Sequence, residues 1–293
     1  MRVQVGLGTG LRALGAAAAV AMAVAMVGVT PGLAVAVPAS AVVQAPSSGQ
    51  RAPDLGGTVV SHGKARSASN SLDWAGFAAT GSTVTSVAGS WTQPSVVCPG
   101  NKLTQSAFWV GIDGFASNDP TVQQIGTDAD CAKGTKKAPG GPLYYAWFEM
   151  YPAGLVVLDP ANYPVRPGDV LSASVSGTGT NYTLSISDAG SGASHWSYLA
   201  TQVASTPTLG ASAEWIAEAP TSCSNGRCKP LPLADFGSVT FSGATVNGLP
   251  VATSGLSASK ITMTKNKKGT VVKASTSLLD ASGGGFTVNW LSI

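Results

Sequence analysis

Short runs in which apolar and polar residues alternate recur along the chain from about residue 70 onward. In residues 182–187, YTLSIS, every second side chain is apolar, so one face of a strand is buried and the other meets water. Similar runs predict strands at 84–97, 106–112, 144–151, 170–175, 214–217, 238–241, 261–264, 270–275 and 286–291. Turn-forming clusters separate these runs, and no amphipathic helical window of useful length occurs. The pattern is typical of an all-β protein, an antiparallel β-sandwich.

Two of the predicted strands carry acids among large apolar residues. In residues 211–218, ASAEWIAE, alternation places Glu214 and Glu218 on the same face as Ile216. In residues 145–151, YAWFEMY, Glu149 shares a face with aromatic side chains. Both strands therefore break the simple rule of an apolar inner face and a polar outer face.

The N-terminal part of the chain predicts an exported protein. Arg2 and Arg12 precede a long run rich in Ala, Val and Met, and residues 34–36, AVA, form an A-x-A cleavage site. Residues 37–69 are rich in Ala, Ser, Pro and Gly without periodicity, which is typical of a pro-segment or a flexible lead-in. We therefore predict a signal peptide over 1–36, a lead-in over 37–69 and a single β-sandwich domain over 70–293, secreted and extracellular. The alternative for the first segment is an uncleaved membrane anchor.

Four cysteines in an exported chain suggest two disulfide bonds, although the sequence alone permits three pairings. Cys223 and Cys228 flank a turn-forming tetrad, which favours a local bridge between them and leaves Cys98 to pair with Cys131. A zinc site of four cysteines is the alternative, but neither pair has the close C-x₂-C spacing.

The formal charge of +3 belongs to the N-terminal segments, since five of the seventeen basic residues lie before residue 70. The remaining chain is close to neutral, so neither nucleic acid nor an anionic membrane is an expected partner. Only 11% of residues are charged. Acid unfolds proteins largely by protonating carboxylates that are paired in the folded state. A chain with few such pairs loses less stability at low pH, which suits an acidic medium.

Several classes of catalysis are excluded by the side chains that the chain lacks. A Ser-His-Asp hydrolase would need His195, since His62 lies in the lead-in, and no G-x-S-x-G elbow occurs. No H-E-x-x-H zinc motif is present, and the predicted disulfides leave no thiol nucleophile. Neither Asp113-Gly114 nor Asp128-Ala129 forms the D-[ST]-G segment of a pepsin-like enzyme. Carboxyl groups and their amide neighbours remain the candidates.

Seven sequence blocks, in order, resemble the glutamic peptidases, also called eqolisins. The blocks are 74–76 (WAG), 87–94 (VAGSWTQP), 109–114 (WVGIDG), 123–128 (QQIGTD), 146–152 (AWFEMYP), 213–216 (AEWI) and 234–241 (ADFGSVTF). The match runs from about residue 70 to the C-terminus and suggests a secreted member of bacterial type. The resemblance implies a sandwich of two long, curved antiparallel sheets, concanavalin-like in form, which agrees with the strand pattern.

The resemblance also implies a catalytic pair, Gln124 from the QQIGTD block and Glu214 from the AEWI block. A shift of one residue would select Gln123 instead, and Glu218 is the alternative glutamate four residues along. An ionised glutamate would take a proton from water as the water attacks the peptide carbonyl, and the amide would stabilise the oxyanion. A glutamate base stays usable in acid, where a histidine would be protonated.

Five further residues are expected in or under the cleft by the same resemblance: Trp109 and Trp147 as apolar walls, and Asp113, Asp128 and Glu149 as orienting groups. The expected enzyme is an acid-active endopeptidase without a cofactor or metal. It would act as a monomer on unfolded or extended polypeptides. The alternatives are a carbohydrate-binding sandwich and a glycosidase that pairs Glu149 with Glu214.

Overall fold

The computed structural model describes residues 60–61, 70–116, 118–135, 140–189, 195–224, 227–266 and 268–293. The predicted signal peptide and all of the lead-in except 60–61 lie outside these ranges, so the predicted domain boundaries stay predictions. Among the described residues, no helix is long and apolar enough to cross a membrane.

The described residues form β-strands and one short 3₁₀ helix, Val251–Thr253. In chain order the strands are β1 (Val60–Ser61), β2 (Asn70–Ser71), β3 (Trp74–Thr80), β4 (Ser86–Thr92), β5 (Ala107–Ile112), β6 (Val122–Ala132), β7 (Gly141–Tyr151), β8 (Val156–Val157), β9 (Val170–Thr178), β10 (Asn181–Asp188), β11 (Trp196–Val203), β12 (Ser212–Glu218), β13 (Thr221–Ser224), β14 (Arg227–Pro230), β15 (Ser238–Val246), β16 (Leu249–Pro250), β17 (Ser257–Thr264), β18 (Val272–Thr276) and β19 (Phe286–Trp290).

Antiparallel pairing joins most strands into two layers. One layer has the order β11-β10-β9-β4-β15-β19-β18, and the other has the order β17-β3-β12-β5-β6-β7-β8. The layers are continuous, because β17 pairs with both β18 and β3. A separate small sheet is formed by β1, β13 and β14. Strands β4, β9 and β15 of the first layer contact β5, β6 and β12 of the second. The two layers therefore face each other as a β-sandwich, as predicted.

The main core lies between the layers and contains the inward residues of both. Trp91 of β4 packs against Phe241 of β15, which stacks on Phe286 of β19. From the second layer, Trp215 reaches across and donates its indole N–H to the carbonyl of Ala88 at 2.8 Å. Alternation decides these positions, because every second residue of a strand faces the core.

The two outward faces differ in chemistry. On the first layer, β9 and β10 present half-buried Ser172, Ser174 and Ser185 in facing positions. On the second layer, the outward face carries a second apolar cluster. It contains Trp74, Ala78, Ala107, Trp109, Phe115, Val122, Tyr145, Trp147, Val157, Ile216 and Ile261. The second layer is thus apolar on both sides, and its outer side also carries the acids singled out in the sequence.

All ten strands predicted from alternation exist, but the first is shorter than expected. It covers Ser86–Thr92 rather than 84–97. Three longer strands were missed: β3, β6 and β11. Strand β6 escapes the pattern because its inward face carries Gln123 and Thr127. The Thr127 hydroxyl accepts the indole N–H of Trp91 at 3.1 Å, so a polar residue occupies a core position with its hydrogen bond satisfied.

Both predicted disulfide bonds are present. Cys98 pairs with Cys131 at the end of β6, and Cys223 pairs with Cys228 across the β13–β14 hairpin. The zinc alternative for the four cysteines is wrong, because all four are oxidised in pairs.

Candidate active site

The outward face of the second layer is organised in rows that cross the strands. Residues directly opposite each other in antiparallel strands point to the same side of a sheet. The first row runs from Ala78 on β3 through Glu214 on β12, Gly111 on β5 and Gln124 on β6 to Glu149 on β7. Three of the residues predicted to carry the chemistry therefore lie in one line on one face.

Gly111 leaves a gap between the two central side chains of this row. Neighbouring strands are about 4.8 Å apart, so the backbones of Glu214 and Gln124 are separated by roughly 10 Å with no side chain between them. A Cβ atom at Gly111 would lie 2.9 Å from Cζ3 of Trp109 and 3.2 Å from Cβ of Gln124. The Trp109 ring and the Gln124 side chain therefore approach Gly111 so closely that only glycine fits there, between the glutamate and the amide.

The second row holds the two tryptophans that were expected to form walls. It contains Gly76, Ile216, Trp109, Gly126 and Trp147. A Cβ atom at Gly126 would lie only 2.3 Å from the carbonyl oxygen of Phe108 and 2.5 Å from Cβ of Trp109, so glycine is required where β6 pairs with β5. The tryptophans thus lie next to the polar row on the same face.

The third row contains Trp74, Glu218, Ala107, Asp128 and Tyr145. Its polar residues hold the indoles in place. Trp109 donates its indole N–H to Oε2 of Glu218 at 2.8 Å, and Trp147 donates to Oδ1 of Asp128 at 2.6 Å. The Tyr145 hydroxyl lies 2.8 Å from Oδ2 of Asp128. Each tryptophan ring is fixed by a buried carboxyl group, and a fixed ring is a better wall for a binding site.

Glu214 is fully buried, and neither carboxyl oxygen has a hydrogen-bond partner among the described residues. Burial raises the pKa of Glu214 well above its usual value, and the charges of Asp113 and Asp119 raise it further. The nearby Ser212 hydroxyl lowers this pKa to some extent, but its position falls short of hydrogen-bond geometry. Glu214 therefore holds a proton more tightly than an exposed glutamate does.

The two adjacent glutamines point to opposite sides of β6. Gln124 faces outward, and its side-chain Nε2 donates to Oε2 of Glu149 at 3.1 Å. Gln123 faces the core, where neither its side-chain oxygen nor its nitrogen has a partner among the described residues. Only Gln124 shares a face with Glu214, as alternation along a strand requires.

The two glutamates of β12 point to the same side, as predicted, but their surroundings differ. Glu218 lies in the third row, opposite Ala107 and Trp74, and is committed to the Trp109 indole. Burial raises the pKa of Glu218 well above its usual value, and the charge of Asp73 adds to this rise while the Trp109 hydrogen bond opposes it. Glu214, in contrast, faces the gap at Gly111.

Asp113 follows β5 and holds the segment that leads into β12. Its carboxylate accepts backbone N–H groups from Leu209 at 3.0 Å, Gly210 at 3.1 Å and Ala211 at 2.6 Å. Its own φ is 73°, in the left-handed region that aspartate tolerates. Burial raises the pKa of Asp113 to about 6, the N–H groups of Ala211 and Gly210 oppose this, and the charge of Asp119 supports it. Asp113 thus positions the strand that carries Glu214.

One buried acid of this face was not singled out from the sequence. Asp130 lies two residues after Asp128, so both point outward from β6. Its carboxyl group contacts the Tyr145 hydroxyl and the side chain of Gln105. The spacing of the two aspartates would have revealed it if β6 had been recognised as a strand. The described part of the chain has no group of three or more His, Cys, Asp or Glu that could hold a metal ion.

The sequence profile of the peptidase A4 family matches residues 72–290, which include every strand of both layers from β3 onward. The chain belongs to the peptidase A4 family. It is therefore a hydrolase of peptide bonds, and the resemblance to glutamic peptidases is confirmed. No match was found among curated proteins.

Solved structures of glutamic peptidases share the fold of this family member. Scytalido-glutamic peptidase with a peptide-based transition state analog is 22% identical, with a TM-score of 0.59 over 75% of this chain and 98% of that chain. SCP-B, described as a member of the eqolisin family in a complex with the tripeptide Ala-Ile-His, is 21% identical, with a TM-score of 0.56 over the same shares. At these identities the likeness shows the fold, a two-layer β-sandwich.

All seven predicted site residues lie on or at the edge of one face. Glu214, Gln124 and Glu149 form the first row, Trp109 and Trp147 belong to the second row, Asp128 belongs to the third row, and Asp113 ends β5. Sequence reasoning named no role for Tyr145, Gly111 or Asp130. Their importance depends on cross-strand register, which links positions far apart in the chain.

Proposed function

We propose that this family member is an acid-active endopeptidase in which Glu214 and Gln124 are the catalytic pair. The observation that carries the proposal is their placement in one row, on either side of the gap at Gly111. A scissile carbonyl and an attacking water that bind between these two side chains would meet a carboxyl group on one side and an amide on the other. This is the arrangement that general-base catalysis with oxyanion stabilisation requires.

The reaction begins with the ionised Glu214 taking a proton from water as the water oxygen attacks the peptide carbonyl. The protonated Glu214 then gives this proton to the departing amine, so the carboxylate is restored. Gln124 offers an N–H to the developing oxyanion, while its hydrogen bond to Glu149 keeps the amide in one orientation. Because Gln124 is neutral, it does not repel the charge on Glu214 as a second carboxylate would.

The raised pKa of Glu214 determines where the activity is lost at low pH. Only the ionised form can accept the proton, so we expect the rate to rise as the pH passes through the pKa of Glu214. The cause of the raised pKa, burial, also makes the carboxylate a stronger base once it forms. The activity is therefore expected to be low in strongly acidic solution and to increase with pH.

The substrate that fits this face is an extended polypeptide. Trp109 and Trp147 give the second row a broad apolar surface beside the catalytic row, suited to side chains on either side of the scissile bond. The two disulfide bonds support a secreted, extracellular enzyme. We propose a monomer that needs neither cofactor nor metal.

A glycosidase that pairs Glu149 with Glu214 is less well supported. The two residues are three strands apart in the row, roughly 14 Å between their backbones, and Gln124 lies between them. Glu149 is also bound to Gln124. A sugar-binding sandwich would give no role to Gln124, which lies in the same row as Glu214.

Because Glu214 and Gln124 are also fully buried, a substrate reaches them only after the face is uncovered. The lead-in residues Val60–Ser61 pair with β13, which follows β12 after two residues. Part of the lead-in thus pairs with the strand that follows β12. We propose that the enzyme becomes active once the predicted pro-segment has been removed.

The test compares Glu214→Gln with Glu218→Gln in the processed enzyme, using release of acid-soluble peptides from a denatured protein over about pH 3 to 7 with pepstatin present. Glu214→Gln removes the base and is expected to lower kcat by roughly 10³-fold or more. Glu218→Gln makes the same chemical change on the same strand and face, and is expected to keep kcat within about tenfold.

Circular dichroism of both variants checks that the fold is intact. An active Glu214→Gln enzyme would contradict the proposed pair. If Glu218→Gln were inactive and Glu214→Gln active, the general base would have to be Glu218. An inactive processed wild-type enzyme would favour the sugar-binding alternative.

A further inference from the structure

The Ser212 hydroxyl and the Glu214 carboxyl group are buried close together at the start of β12. Both residues are fully buried. The hydroxyl and both carboxyl oxygens have no hydrogen-bond partner among the described residues. Three polar atoms in one buried region are thus left unsatisfied, although buried polar groups in folded proteins are nearly always paired.

Alternation along β12 turns both side chains to the outward face. Residues two positions apart in a strand point to the same side of the sheet, with about 6.6 Å between their backbones. In the register with β3, Ser212 is opposite Thr80 and Glu214 is opposite Ala78. Ser212 therefore lies beside the catalytic row, on the side away from the tryptophans of the second row.

The titratable groups that face Glu214 from the elements around it are acidic or phenolic. They are Asp113 at the end of β5, Asp119 in the β5–β6 connection, Glu149 and Tyr151 on β7, and Glu218 on β12. Strand β3 flanks β12 on its other side and has no titratable side chain. These groups bring negative charge to the region of Glu214 and none of them brings a positive charge.

An ionised Glu214 needs a hydrogen-bond donor in this surrounding. A carboxylate can only accept hydrogen bonds, and a buried one without a donor is very unfavourable. The Ser212 hydroxyl can donate, can rotate to suit its partner, and gives up no other hydrogen bond when it does so. In agreement with this, the Ser212 hydroxyl opposes the rise that burial causes in the pKa of Glu214.

We propose that Ser212 is a positioning residue for the general base, because its hydroxyl donates to one oxygen of Glu214 when that carboxyl group ionises. The other oxygen of Glu214 is then left to accept the proton from the attacking water. The effect on the rate rests on the proposed function of Glu214, whereas the hydrogen bond itself does not.

The hydrogen bond requires rotation of the two side chains only, because both already face the same side of one strand. The Ser212 proton stays on its own oxygen throughout. A hydrogen bond to the ionised form of an acid lowers the pKa of that acid. Loss of the hydroxyl should therefore raise the pKa of Glu214 and move the acid limb of the pH profile to higher pH.

The composition of the chain makes the ionisation of Glu214 directly observable. The chain contains only three glutamates, Glu149, Glu214 and Glu218. Protein labelled with ¹³C-glutamate therefore gives only three side-chain carboxyl signals in an NMR spectrum, and Glu214→Gln identifies one of them. A titration over about pH 3 to 9 follows the Glu214 signal without substrate or turnover.

The test compares Ser212→Ala with Ser212→Thr, which keeps a hydroxyl at the same position. We expect Ser212→Ala to move the midpoint of the Glu214 signal and the acid limb of kcat/KM to higher pH by at least about 0.5 unit. We expect Ser212→Thr to stay near the wild type. The matched control is Thr80→Val, which removes a hydroxyl directly opposite Ser212 on β3 and should move neither midpoint.

A Glu214 midpoint that is unchanged in Ser212→Ala would overturn the proposal. So would a uniform loss of kcat/KM at every pH with no shift, because that is the result of a purely structural role. Ser212→Val is the second variant, in case Ser212→Ala does not fold. It matches Ser212→Thr in shape and lacks the hydroxyl, so equal midpoints in these two variants would also overturn the proposal.

The two measurements separate this proposal from the proposed function. If Glu214→Gln remained active, the catalytic pair would be wrong, but the carboxyl signal of Glu214 would still show whether Ser212 binds it. If the signal shifted in Ser212→Ala while the acid limb of kcat/KM did not, the hydrogen bond would exist and the role of Ser212 in catalysis would be refuted.

Discussion

Gln123 and Gln124 are adjacent and have the same side chain, but they face opposite sides of β6. The outward Gln124 is bound to Glu149, whereas the inward Gln123 is buried without a partner among the described residues. We expect Gln124→Ala to lower kcat by about 10²–10³-fold with a smaller change in KM, because an oxyanion donor acts mainly in the transition state. Steady-state kinetics on a defined peptide measures both constants.

Gln123→Leu is the matched control for this prediction. It removes a buried amide that has no hydrogen-bond partner among the described residues, so we expect unchanged kcat and a neutral or slightly raised melting temperature. If Gln123→Leu abolished cleavage while Gln124→Ala did not, the catalytic amide would have to be Gln123 and not Gln124.

At the scale of the element, β5 contributes Gly111, which has no side chain, to the centre of the catalytic row. Gly111→Ala would place a methyl group in the gap between Glu214 and Gln124, 2.9 Å from the Trp109 ring. We expect a folded protein whose kcat/KM falls by roughly tenfold or more, since small displacements of catalytic groups have large effects on rate. Gly141→Ala on β7 is the matched control, because a Cβ atom there would meet nothing within 4 Å.

Thermal unfolding separates the two ways in which Gly111→Ala could act. A variant that melts like the wild type but cleaves slowly supports the role of the gap. A variant with normal kinetics would show that the space at Gly111 is not used by the reaction.

Strands with one apolar face could be predicted from the sequence, and strands β3 and β6 could not. In β6 the inward Gln123 and Thr127 break the alternation, and in β3 most residues are alanine or glycine. The seven candidate site residues were found through resemblance, which needs no strand assignment. Asp130 and Tyr145 were given no role, because their contact depends on the register between β6 and β7.

At the scale of the whole molecule, the acids are distributed unevenly. From residue 70 onward the chain has thirteen acidic residues, of which eight are buried: Asp113, Asp119, Asp128, Asp130, Glu149, Asp188, Glu214 and Glu218. Burial raises the pKa of four of them, Asp113, Asp130, Glu214 and Glu218, because the ionised form loses its hydration. The folded protein therefore binds protons more tightly than the unfolded chain does.

This distribution predicts a protein that is more stable in acid than at neutral pH. In the unfolded chain an aspartate loses its proton near pH 4, whereas in the folded protein Asp113 keeps its proton to about pH 6 and Asp130 to about pH 7. The stability from these two groups is complete below about pH 4 and is lost as the pH rises through 6 and 7. We expect the melting temperature to fall by at least about 5 °C between about pH 4 and pH 8.

Differential scanning calorimetry over this range measures the change. The Asp130→Asn variant serves as the control, since it should lose part of the pH dependence while keeping the contribution of Asp113. A melting temperature that rises from acid to neutral pH would contradict the prediction, because it would mean that the folded state releases protons more readily than the unfolded chain.

The serine-rich outer face of the first layer responds to acid in a different way. The hydroxyl groups of Ser172, Ser174 and Ser185 do not titrate, so their hydration is the same at any pH in which the protein is folded. Opposing contacts such as that between Ser90 and Ser172, 2.8 Å apart, have no charge to gain or lose. Aggregation driven by neutralised surface charge would therefore have to begin elsewhere on the molecule.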